Sequence, residues 1–115
     1  MRKGIRQVLA ERGHVEIVGE ASNGREVVEE ARRLRPDLII MDWTMPELDG
    51  ITAAHLIKKY CPQIAILIFS VHTSRLFMDF ARSLGIEGFV TKGSSSQVLL
   101  GAIDVVLHHQ KYFPA

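Results

Sequence analysis

The chain has 115 residues, a length that suits one compact domain and leaves little room for a second, so residues 1–115 are taken as a single domain. With 47% hydrophobic and 23% charged residues it has the apolar content to build a core, which excludes a disordered chain, and its longest apolar runs fall far short of the roughly 20 residues of a membrane-spanning helix. The formal net charge is +1 and basic residues are interspersed with acidic ones, a pattern that argues against direct nucleic-acid binding.

The first residues, Met1-Arg2-Lys3-Gly4-Ile5-Arg6, are basic but lack the apolar h-region and cleavage site of a secretory signal, so a cytoplasmic location is expected. Ile5, Val8 and Leu9 form a short helical face that ends near Gly13, and Val15-Glu16-Ile17-Val18 follows as a strand. Asn23 with Glu26 three residues on has the form of a capping box, and Val27, Val28, Ala31 and Leu34 then recur on one helical face until Pro36 stops the helix. Asp37-Leu38-Ile39-Ile40-Met41 is apolar on both faces, as a central parallel strand covered on each side should be, and Asp42 ends it. A helix over about 51–60 precedes Cys61, whose single occurrence excludes an intramolecular disulfide and which reads as a small space-filler. Residues 64–69 form another non-alternating apolar strand, ended by Ser70. Leu76, Phe77, Phe80, Ala81 and Leu84 mark the next helix, and Gly88-Phe89-Val90-Thr91 a short strand ended by Lys92. Ser94 to Ser96 then cap a last helix carrying Val98, Leu99, Ala102, Ile103 and Val106.

This alternation of helix and buried strand predicts an α/β fold with a parallel sheet. In such a sheet the carboxyl ends of adjacent strands converge on one crevice where ligands bind, and Asp42, Ser70 and Lys92 each stand at such an end. A carboxylate, a hydroxyl and an ammonium are the parts needed to accept a phosphoryl group and hold it: a nucleophile, a hydrogen-bond donor and a cation.

The segment Met41-Asp42-Trp43-Thr44-Met45-Pro46-Glu47-Leu48-Asp49-Gly50 resembles the phosphoacceptor loop of response-regulator receiver domains, with its Asp, Met-Pro and Asp-Gly in register. Ser70-Val71-His72, Gly88-Phe89-Val90-Thr91-Lys92-Gly93 and Val18-Gly19-Glu20-Ala21-Ser22-Asn23-Gly24 resemble the corresponding segments of the NarL/FixJ-type subfamily, so the resemblance runs over essentially the whole chain. It implies the flavodoxin-like, doubly wound receiver fold with strand order 2-1-3-4-5. Asp42 would take a phosphoryl group from a sensor histidine kinase, Ser70 and Lys92 would contact the phosphate, and Phe89 would be the switch aromatic that moves inward behind Ser70. It further implies Mg²⁺ bound by Asp42 and the Thr44 backbone carbonyl, a homodimer, no catalytic turnover, and a DNA-binding effector domain outside this chain.

The resemblance also locates departures. The family begins with a central strand ending in an acidic pair that binds Mg²⁺, whereas residues 1–9 here resemble the family's first helix from its beginning. The chain is thus expected to be N-terminally truncated, its first central strand missing and the sheet rearranged or strand-exchanged. Mg²⁺ binding would be weak, since Glu47 in the same loop reads as a solvated residue. Lys92 is followed by Gly93 where many receivers carry a cis proline. Two other functions remain open: a pseudo-receiver that binds partners without phosphate, and a phosphatase-like hydrolase using Asp42, against which stands Thr44 where such enzymes carry a second acid. Leu100 and Val105 lie off the inward face of the final helix and are candidates for an apolar contact surface. His14, His55, His108 and His109 have no ligand-spaced partners and read as structural or surface residues, the last two suited to a helix C-terminus. Gln110-Lys111-Tyr112-Phe113-Pro114-Ala115 resembles the exit from a receiver into a linker.

Overall fold

The structure, a computed structural model, describes residues 23–41, 50–71 and 74–113. The expectations that fall on residues 1–22, including the short first helix, the strand at 15–18 and the missing central strand, lie outside the described residues, as do those on Asp42, Thr44, Glu47 and His72.

Helix α1 spans Gly24–Leu34 and begins as the sequence predicts: the Asn23 side-chain oxygen accepts the Glu26 N–H at 2.9 Å, satisfying one of the amide groups that a helix start leaves without an internal partner. It ends on Arg35, held in the left-handed region at φ 47°, whose N–H donates to Ala31 O before Pro36 turns the chain away. Strand β1 is Leu38–Met41, followed by helix α2 at Gly50–Tyr60 and strand β2 at Ala65–Ser70. Helix α3, Arg75–Ser83, is capped by Ser74; strand β3 is Gly88–Thr91; helix α4, Ser96–Leu107, is capped by Ser95. Each expected element within the described residues is present, with ends shifted by a residue or two.

Among the described residues three strands form a parallel sheet in the order β1-β2-β3, with Met41 opposite Ile68, Ile68 opposite Phe89, and Ser70 opposite Thr91. Side chains alternate across the sheet, so its two faces feed two cores. Met41, Ile66, Ile68 and Phe89 pack in a core with Val27, Ala31, Ala53, Ala54, Ile57 and Ala81 of α1, α2 and α3. Leu67 and Val90 pack with Leu99, Ala102 and Ile103 of α4 on the opposite face. Helices on both faces explain why β2 is apolar without alternation: Ile66, Leu67 and Ile68 are all fully buried. Cys61 is buried beside α2, in keeping with its space-filling reading.

The apolar surface differs from expectation. Leu100 is half-buried and packs against the core shared by α4 and the sheet, and Val105 is half-buried as well. The exposed large apolar side chains on these helices are Leu76, 82% exposed, and Phe80 one turn on in α3, with Val98 at the start of α4. No helix among the described residues is long and apolar enough to cross a membrane.

Candidate functional site

Parallel pairing sets the geometry of the site. Because β1, β2 and β3 run in the same direction, their carboxyl ends share one edge of the sheet, and the residues that end them are neighbours across the ladder. Met41 is the buried last residue of β1, and Asp42 follows it in the chain. Ser70, the last residue of β2, is 1% exposed, a buried polar residue beside the apolar core. Lys92 is half-buried just past β3, and its N–H donates to Ser70 O at 2.9 Å. The structure therefore brings Ser70 and Lys92 together across adjacent strand ends, while Asp42 and Thr44 lie outside the described residues.

The turn that carries Lys92 is closed twice. Ser94 N–H donates to Thr91 O at 3.0 Å, the four-residue closure of a β-turn, and the hydroxyls of Thr91 and Ser94 are hydrogen-bonded at 2.9 Å. Lys92 and Gly93 occupy its two central positions, and a Cβ at Gly93 would meet nothing within 4 Å. Sequence reasoning noted the glycine but missed the hydroxyl pair, since Thr and Ser three apart are too common to signal a contact.

Phe89 is fully buried, opposite Ile68 in the core shared by α1, α2 and α3. A switch aromatic that travels inward was expected; here the ring already occupies the interior. On the outer edge of β3 the Phe89 N–H donates to Tyr112 O at 2.9 Å, and the Tyr112 N–H donates to Glu87 O at 2.9 Å. The residues after α4 thus add a short parallel bridge beside Gly88, an arrangement that a two-residue pattern in the sequence could not announce.

A second feature missed from sequence sits at the opposite, amino end of the strands. Lys58 Nζ donates to Glu87 Oε2 at 2.5 Å and to Ile64 O at 2.7 Å, while Glu87 Oε1 accepts the Ile66 N–H at 2.9 Å. The two side chains are 11% and 21% exposed, so the pair is largely withdrawn from water. On α1, the hydrogen bond from Arg33 holds the Glu30 carboxyl below its ordinary range, and the same bond raises the Arg33 guanidinium. This pair is on the surface and away from the strand ends. A recess of about 100 Å³ between α1 and α2 is lined by Val28, Ala31, Leu56, Ile57, Tyr60 and Cys61 and belongs to helix packing, not to the strand-end site.

His55, His108 and His109 are exposed, and His108 Nδ1 lies 2.7 Å from Asp104 O at the end of α4, where a helix C-terminus was expected to suit it. Among the described residues no group of three or more His, Cys, Asp or Glu side chains converges to hold a metal ion.

Comparison with known proteins agrees with this geometry. The family model described as response regulator receiver domain matches residues 1–104. The response regulator protein VraR of Staphylococcus aureus is 33% identical over 103 residues, covering 90% of this chain and 49% of that protein. The chain spans about half the length of the curated relatives it matches. Among solved structures, a two-component response regulator of the LuxR family from Aurantimonas sp. SI85-9A1 superposes with a TM-score of 0.93 at 32% identity, covering 97% of this chain and 80% of that one. The signal receiver domain of the putative response regulator NarL from Mycobacterium tuberculosis superposes with a TM-score of 0.89 at 28% identity, covering 95% and 88% of the two chains.

Proposed function

The chain belongs to the response regulator receiver domain family, and from that premise we propose that Asp42 is the phosphoacceptor, with Ser70 and Lys92 holding the phosphoryl group and Phe89 coupling it to the rest of the fold. The domain is a signalling module of a two-component system, not a catalytic enzyme domain. The observation that carries the assignment is the juxtaposition of Ser70 and Lys92 at adjacent strand ends, next to the strand that Asp42 follows.

In this reading a phosphohistidine of a sensor kinase is the donor. The Asp42 carboxylate attacks phosphorus, an Oδ–P bond forms as the N–P bond breaks, and the imidazole leaves with the bonding electron pair and takes up a proton. Lys92 offsets the negative charge gained by the acyl phosphate, and the Ser70 hydroxyl donates to one of its oxygens. Burial of Ser70 favours that role, since its hydroxyl is little screened by water. The Thr91–Ser94 hydroxyl pair keeps Lys92 at its station by closing the turn on which it rides.

Mg²⁺ is the family's cation, and the chemistry it supplies is charge neutralisation between carboxylate and phosphate oxygens. Asp42 and the Thr44 carbonyl are the residues of this chain that the resemblance provides to hold it. The sensor kinase, a homodimeric state, a cytoplasmic location and a DNA-binding effector beyond this chain belong to the same proposal, the last because the relatives are about twice as long.

The test is intact mass after incubation with acetyl phosphate across a Mg²⁺ titration. Gain of one phosphoryl group, lost in Asp42→Asn, supports the reading. No gain at any Mg²⁺ concentration overturns it for this chain and favours a pseudo-receiver that binds without phosphate.

A further inference from the structure

Residues 110–113 leave α4 and run along the free edge of β3, and the manner of their attachment goes beyond a passive exit. Gln110 N–H still bonds Val105 O at the end of α4. Tyr112 is then bracketed by two backbone hydrogen bonds, its N–H to Glu87 O and its O from Phe89 N–H, both 2.9 Å. Its side chain packs on the α4 core, whereas Phe113, the next residue, packs on the core that holds Phe89. Consecutive side chains thus go to opposite faces of the sheet, the signature of an added edge strand. Arg82, near the end of α3, lies over the Phe113 ring at 4.5 Å from its centre.

The amide that holds this segment belongs to the residue proposed as the switch. On its other side β3 is tied to β2, where Lys92 N–H meets Ser70 O at the phosphoryl-holding end. A pull on Ser70 and Lys92 therefore acts on a strand that carries Phe89 two residues back from its end, and Phe89 carries Tyr112. Two backbone hydrogen bonds and two side chains are few enough contacts to open locally while the pairing of β1, β2 and β3 stays intact.

We propose that residues 110–113 are an output strap: an edge strand docked beside β3 through Phe89, which loosens when the carboxyl end of β3 is drawn toward a phosphoryl group on Asp42. The inference rests on the reading of Asp42 given above and adds how the site's state reaches the point where the chain leaves the domain. The occupant of the β3 edge is the chain's own segment 110–113, so its release frees that edge.

Amide hydrogen exchange of the full chain, read residue by residue with intact mass followed in parallel, tests this. In the phosphorylated chain the Phe89 and Tyr112 amides should exchange about tenfold faster, the factor that a weakening of ~1.4 kcal/mol produces, with the Ile66 and Ile68 amides unchanged. Full phosphorylation with Phe89 and Tyr112 exchanging as before, or more slowly, overturns the strap and leaves Asp42 standing as phosphoacceptor. Absence of any phosphoryl gain removes the reading of Asp42 and the proposal with it. A second arm needs no phosphorylation: Phe113→Ala should speed exchange at the same two amides in the unmodified chain. Unchanged protection in that variant overturns the docking described.

Discussion

Removing the Lys58 ammonium should cost this small domain more than a typical surface charge. Nζ donates to Glu87 Oε2 at 2.5 Å, to Ile64 O at 2.7 Å and to Pro62 O at 3.3 Å. Glu87 in turn satisfies the amide of Ile66, a residue with no exposure. At 11% and 21% side-chain exposure the pair stands between two regimes. Exposed pairs contribute up to about 1 kcal/mol, whereas stripping one partner from a fully buried pair costs about 3–5 kcal/mol. Lys58→Met keeps most of the apolar stem and should destabilise the fold by about 2 kcal/mol. Glu87→Gln keeps an acceptor for the Ile66 amide and should cost about 1–2 kcal/mol, but Glu87→Ala leaves that buried amide without it and should cost about 3 kcal/mol. Urea unfolding followed by circular dichroism reads these as shifts in midpoint at constant slope. A cycle of Lys58→Met and Glu87→Gln isolates the pair, and a coupling energy indistinguishable from zero would refute the argument that partial burial strengthens it.

Gly88→Ala should destabilise by about 1–3 kcal/mol, because its Cβ would press on Leu67 Cδ1 and lie 2.9 Å from Val106 Cγ1, where β3 and α4 are in close contact; a neutral midpoint in the same urea assay would contradict that packing. Asn23→Ala should lower stability by about 1 kcal/mol through loss of the bond to Glu26 N–H, and Asn23→Asp, which keeps the acceptor, should restore it. For Glu30, the folded-state carboxyl is held below its unfolded value, so its contribution is present above the ordinary glutamate range and is lost as pH falls through the folded value. The stability difference between the native chain and Glu30→Gln should accordingly shrink on acidification and in high salt, and a difference indifferent to both would show that the Arg33 pair is not its source.

The parts of the fold legible in the sequence are those set by local patterns. The N-cap at Asn23, the stop at Pro36 and the runs at 38–41 and 65–70 depend on residues close in the chain, and each is where local sequence pattern puts it. The convergence of Ser70 and Lys92 was legible too, because parallel alternation alone sends strand ends to one edge. Contacts that depend on side-chain reach across distant segments were not. Lys58 and Glu87 are 29 residues apart and resemble ordinary surface charges; only the folded path of the chain brings the Lys58 side chain to Glu87. Leu100 looked outward on an ideal helical wheel, yet α4 sits where that flank also meets the sheet. Leu76 and Phe80, by contrast, look like core residues in sequence and stand exposed, because α3 turns Ala81 inward and leaves them on its far side.

The two ends of the sheet are held differently. At the amino end, Glu87 is tied by its carboxylate to Lys58 and Ile66, by its N–H to Ile66 O and by its carbonyl to Tyr112, so that end of β3 is fixed in four directions. At the carboxyl end, β3 passes into a turn closed on itself by Thr91 and Ser94 and joined to β2 through Lys92 N–H and Ser70 O. A force applied at the carboxyl end therefore meets a strand anchored behind it, and the residue midway between anchor and turn is Phe89. Its side chain is locked in the core, so its backbone and the strap bonded to that backbone are the parts with room to yield. Strengthening the anchor and weakening it should then have opposite effects on coupling. Glu87→Gln, which slackens the amino end without removing the acceptor for Ile66, should let β3 shift as a unit and reduce the difference in Tyr112 exchange between phosphorylated and unphosphorylated chains, while an undiminished difference would place the pivot elsewhere than Glu87.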